Sequence, residues 1–217
     1  MLTSRRPIVI VGAGDHGRVV LELLRAAGQA PLGFVEPRAG EVAGKVVDGL
    51  PVVGDLEHEL AWREGGSHRF VCALGDNRAR AAAFARCLEL ELEPAACIHP
   101  TATLLHGAEI EPGAMICAGA VVGVAAWVGP NAIVNTAASV DHDNRIGAHA
   151  TIAPGAHLAG RVVVGEGAYV GIGAAVREGL RVGEWSLVAG GAMVARDVPD
   201  GARVGGVPAR PLGETTA

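Results

Sequence analysis

Residues 111–140 read EPGAMI CAGAVV GVAAWV GPNAIV NTAASV, five blocks of six, each ending on an aliphatic residue with Ala two places before it. Followed outward in both directions, the aliphatic position recurs from Ile98 to Val194, seventeen times without an insertion. The Ala position is kept in most blocks, with Asn144, Val162, Leu180, Ser186 and Val198 in its place elsewhere. Gly often follows the aliphatic residue or precedes the Ala. A period of this length and regularity is the mark of a β-helix, in which each block supplies one short strand and one turn. Three blocks close a triangular coil, so the run makes about five and a half coils. The aliphatic residue points into the prism and stacks on its equivalent one coil away. The Ala sits near a corner, where only a small side chain fits, and Gly supplies the positive φ of a tight corner. The hand of the coil does not follow from the spacing.

Composition agrees. Of 217 residues 32 are Gly, and aromatics make up only 3%. A core so poor in rings is filled by small aliphatic residues in repeating layers. With 50% hydrophobic and 19% charged residues the chain is not disordered. Gly has no three-residue period, which excludes collagen, and no run approaches the roughly 20 apolar residues of a membrane span. A net charge of −5 offers no basic footprint for nucleic acid. The apolar run at 8–11 is too short for a secretory signal, which places the chain in the cytoplasm. Cys72, Cys87, Cys97 and Cys117 lack CxxC spacing and read as reduced, buried small hydrophobes.

Ahead of the repeat the rhythm is different. Strand candidates at 8–11, 32–36 and 70–74 alternate with helical patterns at 19–27 and 78–90, the order of a small parallel sheet. The expected organisation is therefore an α/β, Rossmann-like unit over 1–97 followed by a β-helix with a short tail over 98–217. After the first strand comes GAGDHG, residues 12–17, opening a helix. Such glycines let backbone N–H groups approach a phosphate at the positive end of the helix. Glu36 closes the next strand, as a ribose-binding acid would. Fewer than a hundred residues precede the repeat, so only half of a dinucleotide fold fits, and a mononucleotide-linked ligand suits the size better.

Within the repeat, residues 140–145 read VDHDNR. His142 stands two places after the inward Val140, at a corner facing outward. A neutral imidazole there can take a proton from an incoming amine or hydroxyl, and a neighbouring carboxylate, Asp143 or Asp141, can orient the ring. No serine or cysteine nucleophile with an evident base partner accompanies it. His142, His149 and His157 are seven and eight apart, which matches neither an eighteen-residue coil nor one face, so a zinc site of the hydratase type is not expected.

The hexads resemble the hexapeptide-repeat acyltransferases, whose left-handed β-helix binds acyl-CoA. GAGDHG in front, VNTAASVDHDNRIG at 134–147 and GGVPAR at 205–210 together resemble the bacterial nucleotide-amino-sugar N-acetyltransferases and the related sialic acid O-acetyltransferases, over nearly the whole chain. That resemblance implies acetyl transfer from acetyl-CoA to the amine of a nucleotide-linked amino sugar, such as a 4-amino-6-deoxy sugar, in polysaccharide biosynthesis. It implies His142 as general base with Asp143 beside it, where the family commonly has Glu. Gly14, Asp15 and His16 would line the diphosphate-sugar, Glu36 the nucleoside, and Gly75 would close the pocket. Asn135 and Thr136, one coil turn before His142, would contact the sugar. Gly160 would donate its N–H to the thioester carbonyl, and Ile172 and Gly190 would line the pantetheine arm. Thr151 stands where many members carry an acyl-CoA-contacting His, with His149 as a neighbouring substitute. Arg196, Arg203 and Arg210 could meet the CoA phosphates. Where the family often has two adjacent acids, this chain has Glu36-Pro37, which leaves UDP and GDP both open. A prism with flat, small-residue faces and sites shared between subunits implies a homotrimer. O-acetylation of a sialic acid-type sugar and a sugar-nucleotide scaffold without activity are the competing readings. The intact His-Asp pair argues against the latter.

Overall fold

The computed structural model describes residues 7–38, 45–58 and 68–213. The segment before residue 7, part of the reading on secretion, lies outside the described residues. Two compact units divide the chain between Cys97 and Ile98.

In the first unit the strands are β1 (Ile8–Val11), β2 (Pro31–Glu36), β3 (Val46–Val47), β4 (Leu50–Asp55), β5 (Arg69–Cys72) and β6 (Glu93–Pro94), and the helices are α1 (Asp15–Ala26) and α2 (Asn77–Glu89). The sheet order is β3-β4-β2-β1-β5-β6, parallel except for the β3–β4 hairpin. β1 is apolar along its whole length because both of its faces are covered. Val9 and Val11 pack with Phe84 and Cys87 of α2, while Ile8 and Ile10, also buried, face the other side. The chain leaves β1 towards β2 on one side and later returns as β5 on the other. The carboxyl ends of β1 and β5 therefore flank the point where strand order reverses, the usual ligand crevice of an open parallel sheet.

Two sequence readings need correction here. α1 begins at Asp15 rather than at 19, so the glycine motif runs into its first turn. β3, β4 and β6 went unread, because Pro51, Gly54 and Pro94 break the strand pattern at a sheet edge, where proline is tolerated.

The second unit is a parallel β-helix of two-residue strands. On one face Thr103, Val121, Ser139, His157, Ala175 and Met193 follow each other in register, eighteen residues apart. The other two faces repeat the same step. Coils are zipped by main-chain bonds that recur in every hexad. Val121 N donates to Ala138 O at 2.9 Å, Gly123 N to Val140 O at 2.7 Å, and at the next corner Asp143 N donates back to Val124 O at 2.9 Å. Inside the prism the aliphatic rows stack, for example Val122, Val140, Leu158, Val176 and Val194, together with the Ala positions. All are buried. The row frays only in the first coil, where Leu104 is exposed.

Glycine serves two purposes at the corners, where the sequence suggested one. From 107 to 191 the third residue after the aliphatic position takes positive φ, and Ala125, Asn131, Ala137, Asp143, His149, Arg161 and Trp185 adopt it as well as glycines do. Left-handed φ is thus tolerated by ordinary residues at about 1–2 kcal/mol each. Where glycine is the first residue after the aliphatic position, its φ is ordinary but there is no room: a Cβ on Gly147 would lie 2.7 Å from Glu166 N and 2.8 Å from Gly165 C, both backbone of the next coil. Gly147→Ala is therefore expected to lower stability by about 1–3 kcal/mol through overpacking. Gly155→Ala, with φ +63 and open space around the new methyl, should cost only about 1 kcal/mol. Urea denaturation of the two variants, read side by side, checks the order.

Candidate active site

The corner after β-strand Ser139–Val140 carries His142 and Asp143. Its fold is fixed from both ends. Asp141 turns its carboxylate onto the His142 N–H at 2.7 Å. Asn144 occupies a buried position that is Ala in most hexads, and its Nδ2 donates to Asp141 O at 3.0 Å. Its Oδ1 accepts the N–H of Val162 in the next coil. A polar group inside an apolar prism is costly unless satisfied, and here both ends of the amide are used to pin the turn. The His142 imidazole stands on this corner with 43% of its side chain exposed, and its Nδ1 lies 2.8 Å from Asp143 Oδ2. The carboxylate accepts from Nδ1–H, which leaves Nε2 with its lone pair available. Asp143 is in the left-handed region, φ 58, so its side chain is held by the corner itself. Asp141 is spent on the turn, which settles which acid faces the ring.

Gly160 lies one coil beyond His142. A Cβ there would fall on the imidazole at Nε2, so glycine is what keeps that edge clear. The Gly160 N–H takes no main-chain acceptor among the described residues. A basic nitrogen and a free donor thus sit on consecutive coils of one corner.

Other residues singled out from the repeat lie elsewhere. Ile172, 62% exposed, and Gly190 share a different corner, where a Gly190 Cβ would be 3.2 Å from Ile172 O. Within one protomer they do not join His142 and Gly160. Asn135 is not one coil before His142; a coil is eighteen residues, so Val124 holds that place and Asn135 belongs to the preceding corner. There its Oδ1 accepts the Thr136 N–H at 2.7 Å. Thr151 is buried between Ile133 and Tyr169 on a flat face. His149 bonds Asn131 Nδ2 at 2.8 Å, and His157 bonds Ser139 Oγ at 2.8 Å.

In the first unit the glycine motif turns at Gly12, φ +104, where a Cβ would press on Leu74 and the Ala73 carbonyl. Gly17 packs α1 against that turn, since its Cβ would fall on Gly12 O. Gly14 and Gly75 are different: each has ordinary φ and open space where a Cβ would point. Nothing within the fold demands glycine at either, and they stand at the ends of β1 and β5, across the crevice. His16, in the first turn of α1, has a buried Nε2 with no hydrogen-bond partner among the described residues. Burial, and then the Arg80 charge, hold its pKa down at about 4, so the ring is neutral. Arg80 is itself fully buried in α2, its pKa lowered to about 10 by burial. Its Nη1 donates to Leu74 O at 3.0 Å, which fixes the loop carrying Gly75. A cavity of about 650 Å³ opens at the ends of β2 and β5, with Glu36 and Arg38 at one side and Ala82, Ala83 and Arg86 of α2 at the other. Among the described residues no group of acids, cysteines and histidines gathers as a metal site, and no helix is long and apolar enough to cross a membrane.

Comparison with known proteins fits this geometry. Residues 7–87 match the family model described as the PglD N-terminal domain. Among solved structures, perosamine N-acetyltransferase from Caulobacter crescentus, determined with CoA and GDP-perosamine, is 37% identical, with 97% of this chain and 99% of that chain covered and a TM-score of 0.89. The chain belongs to the bacterial nucleotide-amino-sugar N-acetyltransferases. The acetyltransferase domain of PglB from Neisseria gonorrhoeae FA1090, determined with acetyl coenzyme A, is 36% identical over 95% of this chain and 99% of that one, TM-score 0.87. WeeI from Acinetobacter baumannii AYE is 25% identical over 95% and 100%, TM-score 0.86. No curated protein matched the sequence. The enzyme is an acetyl-CoA-dependent sugar N-acetyltransferase with the hexapeptide-repeat β-helix of its family.

Arg80, Asn144 and the cavity side of α2 were not singled out from the sequence of this acetyltransferase. For Arg80 a signal existed: counting back from Phe84 and Cys87 in helical steps places it on the buried face, where a cation needs a reason.

Two outcomes follow for the acetyltransferase. Gly160→Ala should melt near the parent temperature while kcat falls about 100-fold, because a methyl group displaces the His142 ring; steady-state kinetics and thermal melting read both. For His16, the folded pKa near 4 lies below the free value of 6.5. Between those values the unfolded chain binds a proton that the folded one refuses, so stability is full above the upper value and declines as pH falls towards the lower. His16→Gln should flatten that decline, visible as a smaller shift of the urea midpoint between about pH 7 and pH 4.5.

Proposed function

We propose that this acetyltransferase moves the acetyl group of acetyl-CoA onto the amine of a nucleoside-diphosphate-linked amino sugar, with His142 as general base. The observation that carries the reading is the His142–Asp143 pair, 2.8 Å apart, with Nε2 open above Gly160. The amine nitrogen attacks the thioester carbonyl carbon. Its proton passes to His142 Nε2, while Asp143 stabilises the imidazolium through Nδ1. The Gly160 N–H holds the oxyanion of the tetrahedral intermediate. As the intermediate collapses, the C–S bond breaks, and the proton held on Nε2 goes to the CoA sulfur. No covalent acyl-enzyme is needed. Holding both reactants at one corner supplies the largest share of the acceleration.

The relative with GDP-perosamine bound supports a nucleotide-linked 4-amino sugar as acceptor. In this reading the crevice between β1 and β5 takes the diphosphate-sugar. Gly14 and Gly75 leave room for close backbone approach, Asp15 and the neutral His16 lie at the helix start, and the Glu36 cavity takes the nucleoside. Asn135 would meet the sugar from a neighbouring protomer's corner. Ile172 and Gly190, on a corner apart from His142, fit a pantetheine arm lying between protomers, as in a homotrimer whose sites are shared. Thr151 is buried in the protomer, which argues against the acyl-CoA contact that the resemblance implied for it.

His142→Ala should fold and bind CoA as the parent does but lose about 10²–10⁴ in kcat, the usual worth of a positioned base. Asp143→Asn should fall between the two. Unchanged turnover of His142→Ala in a thiol-release assay, with acetyl-CoA and a 4-amino-sugar nucleotide, would overturn the role.

A further inference from the structure

The lining of the cavity beside Glu36 bears on which base it takes, and this inference rests on the nucleotide-sugar reading above. β2 and β4 bring two acids to its edge, Glu36 opposite Asp55 in register. They are not equivalent. The Asp55 carboxylate is consumed by its own loop, accepting from Glu57 N at 2.8 Å and His58 N at 2.9 Å and lying 3.0 Å from the His58 ring. Glu36 gives only its main-chain carbonyl to the fold, accepting from Leu56 N at 2.9 Å. Glu36 lines the cavity, and no side-chain hydrogen bond holds it among the described residues. The next residue is Pro37, which has no N–H. At this point the chain therefore presents acceptors and no main-chain donor. Beyond it the cavity holds cations, Arg38 and Lys45 on the side of Glu36 and Arg86 from α2, the last sharing its charge with Glu89 at 3.2 Å. Ala79, Ala82 and Ala83 make the α2 wall shallow enough for a flat ring, and about 650 Å³ is ample for a purine nucleoside.

Set against the bases, this arrangement is selective. Guanine has two donors side by side, N1–H and N2–H₂, which a carboxylate can take together, and its O6 and N7 accept from an arginine fork. Uracil has a single donor, N3–H, between two carbonyl oxygens, so a carboxylate there gains one hydrogen bond and faces two acceptors. Adenine places an acceptor, N1, beside its amino group. We propose that Glu36 reads the Watson–Crick edge of guanine, making this enzyme selective for GDP-linked over UDP-linked amino sugars.

Calorimetric titration of the full chain with GDP, IDP, UDP and ADP tests this. One bidentate contact corresponds to about 10–100-fold in affinity. GDP should bind at least about 10-fold tighter than UDP or ADP, and IDP, which lacks the N2 amino group, should fall about 10-fold below GDP. Glu36→Gln should lose about 10–100-fold for GDP while its weak UDP binding stays as it was. Its CoA affinity and melting temperature should match the parent, which excludes misfolding. UDP binding as tightly as GDP, or Glu36→Gln weakening GDP and UDP equally as a ribose contact would, overturns the base assignment and leaves acetyl transfer to some amino-sugar nucleotide standing. Failure of all four diphosphates to bind overturns the nucleotide-sugar reading together with it.

Discussion

The spacing between hydrogen-bonded coils, about 4.8 Å as between any paired strands, governs the repeat unit. Every eighteenth residue lies that close above its predecessor, so whatever one hexad does limits the hexads above and below. Ring side chains are kept out of the prism, whose core contains none. Backbone meets backbone at Gly123, Gly147 and Gly165, where a Cβ has no space. The same closeness makes the site. Nε2 of His142 has an open edge because the residue above it in the column is Gly160 and nothing larger.

The two units use their charges in opposite ways. In the β-helix the His142 imidazole is half-exposed and leans on an exposed carboxylate. In the front unit His16 and Arg80 are kept from water, and each is pushed by burial towards its neutral form. Arg80 beside the neutral His16 ring adds positive potential at the strand ends, offset in part by Asp76 at the start of α2. That is the character a diphosphate needs.

Much of the β-helix was legible because its contacts are one-dimensional: the partner of a residue is found by adding eighteen. The aliphatic rows and the outward corner of His142 followed from counting, whereas the choice of Asp143 over Asp141 came from the family resemblance and from the geometry of the corner. What counting missed were the reasons behind individual residues. Glycine before the Ala and glycine after the aliphatic look alike in the sequence, yet one answers to φ and the other to the next coil's backbone. The front unit was less legible because its partners are far apart in the chain. Glu36 and Arg86 meet across one cavity although fifty positions separate them. β4 hid behind Pro51 and Gly54, and its pairing with β2 and β3 makes it a strand.

The hexad also constrains how such a gene can change length. Adding or losing one block would turn everything downstream by a third of a revolution and set a different residue over His142. Inserting a whole coil between Asp143 and Gly160 would keep the phase but part the two. Insertions and deletions are thus harmless to the chemistry only outside that stretch, and then in whole coils, so the distance between these two residues should be among the most slowly drifting quantities in the lineage.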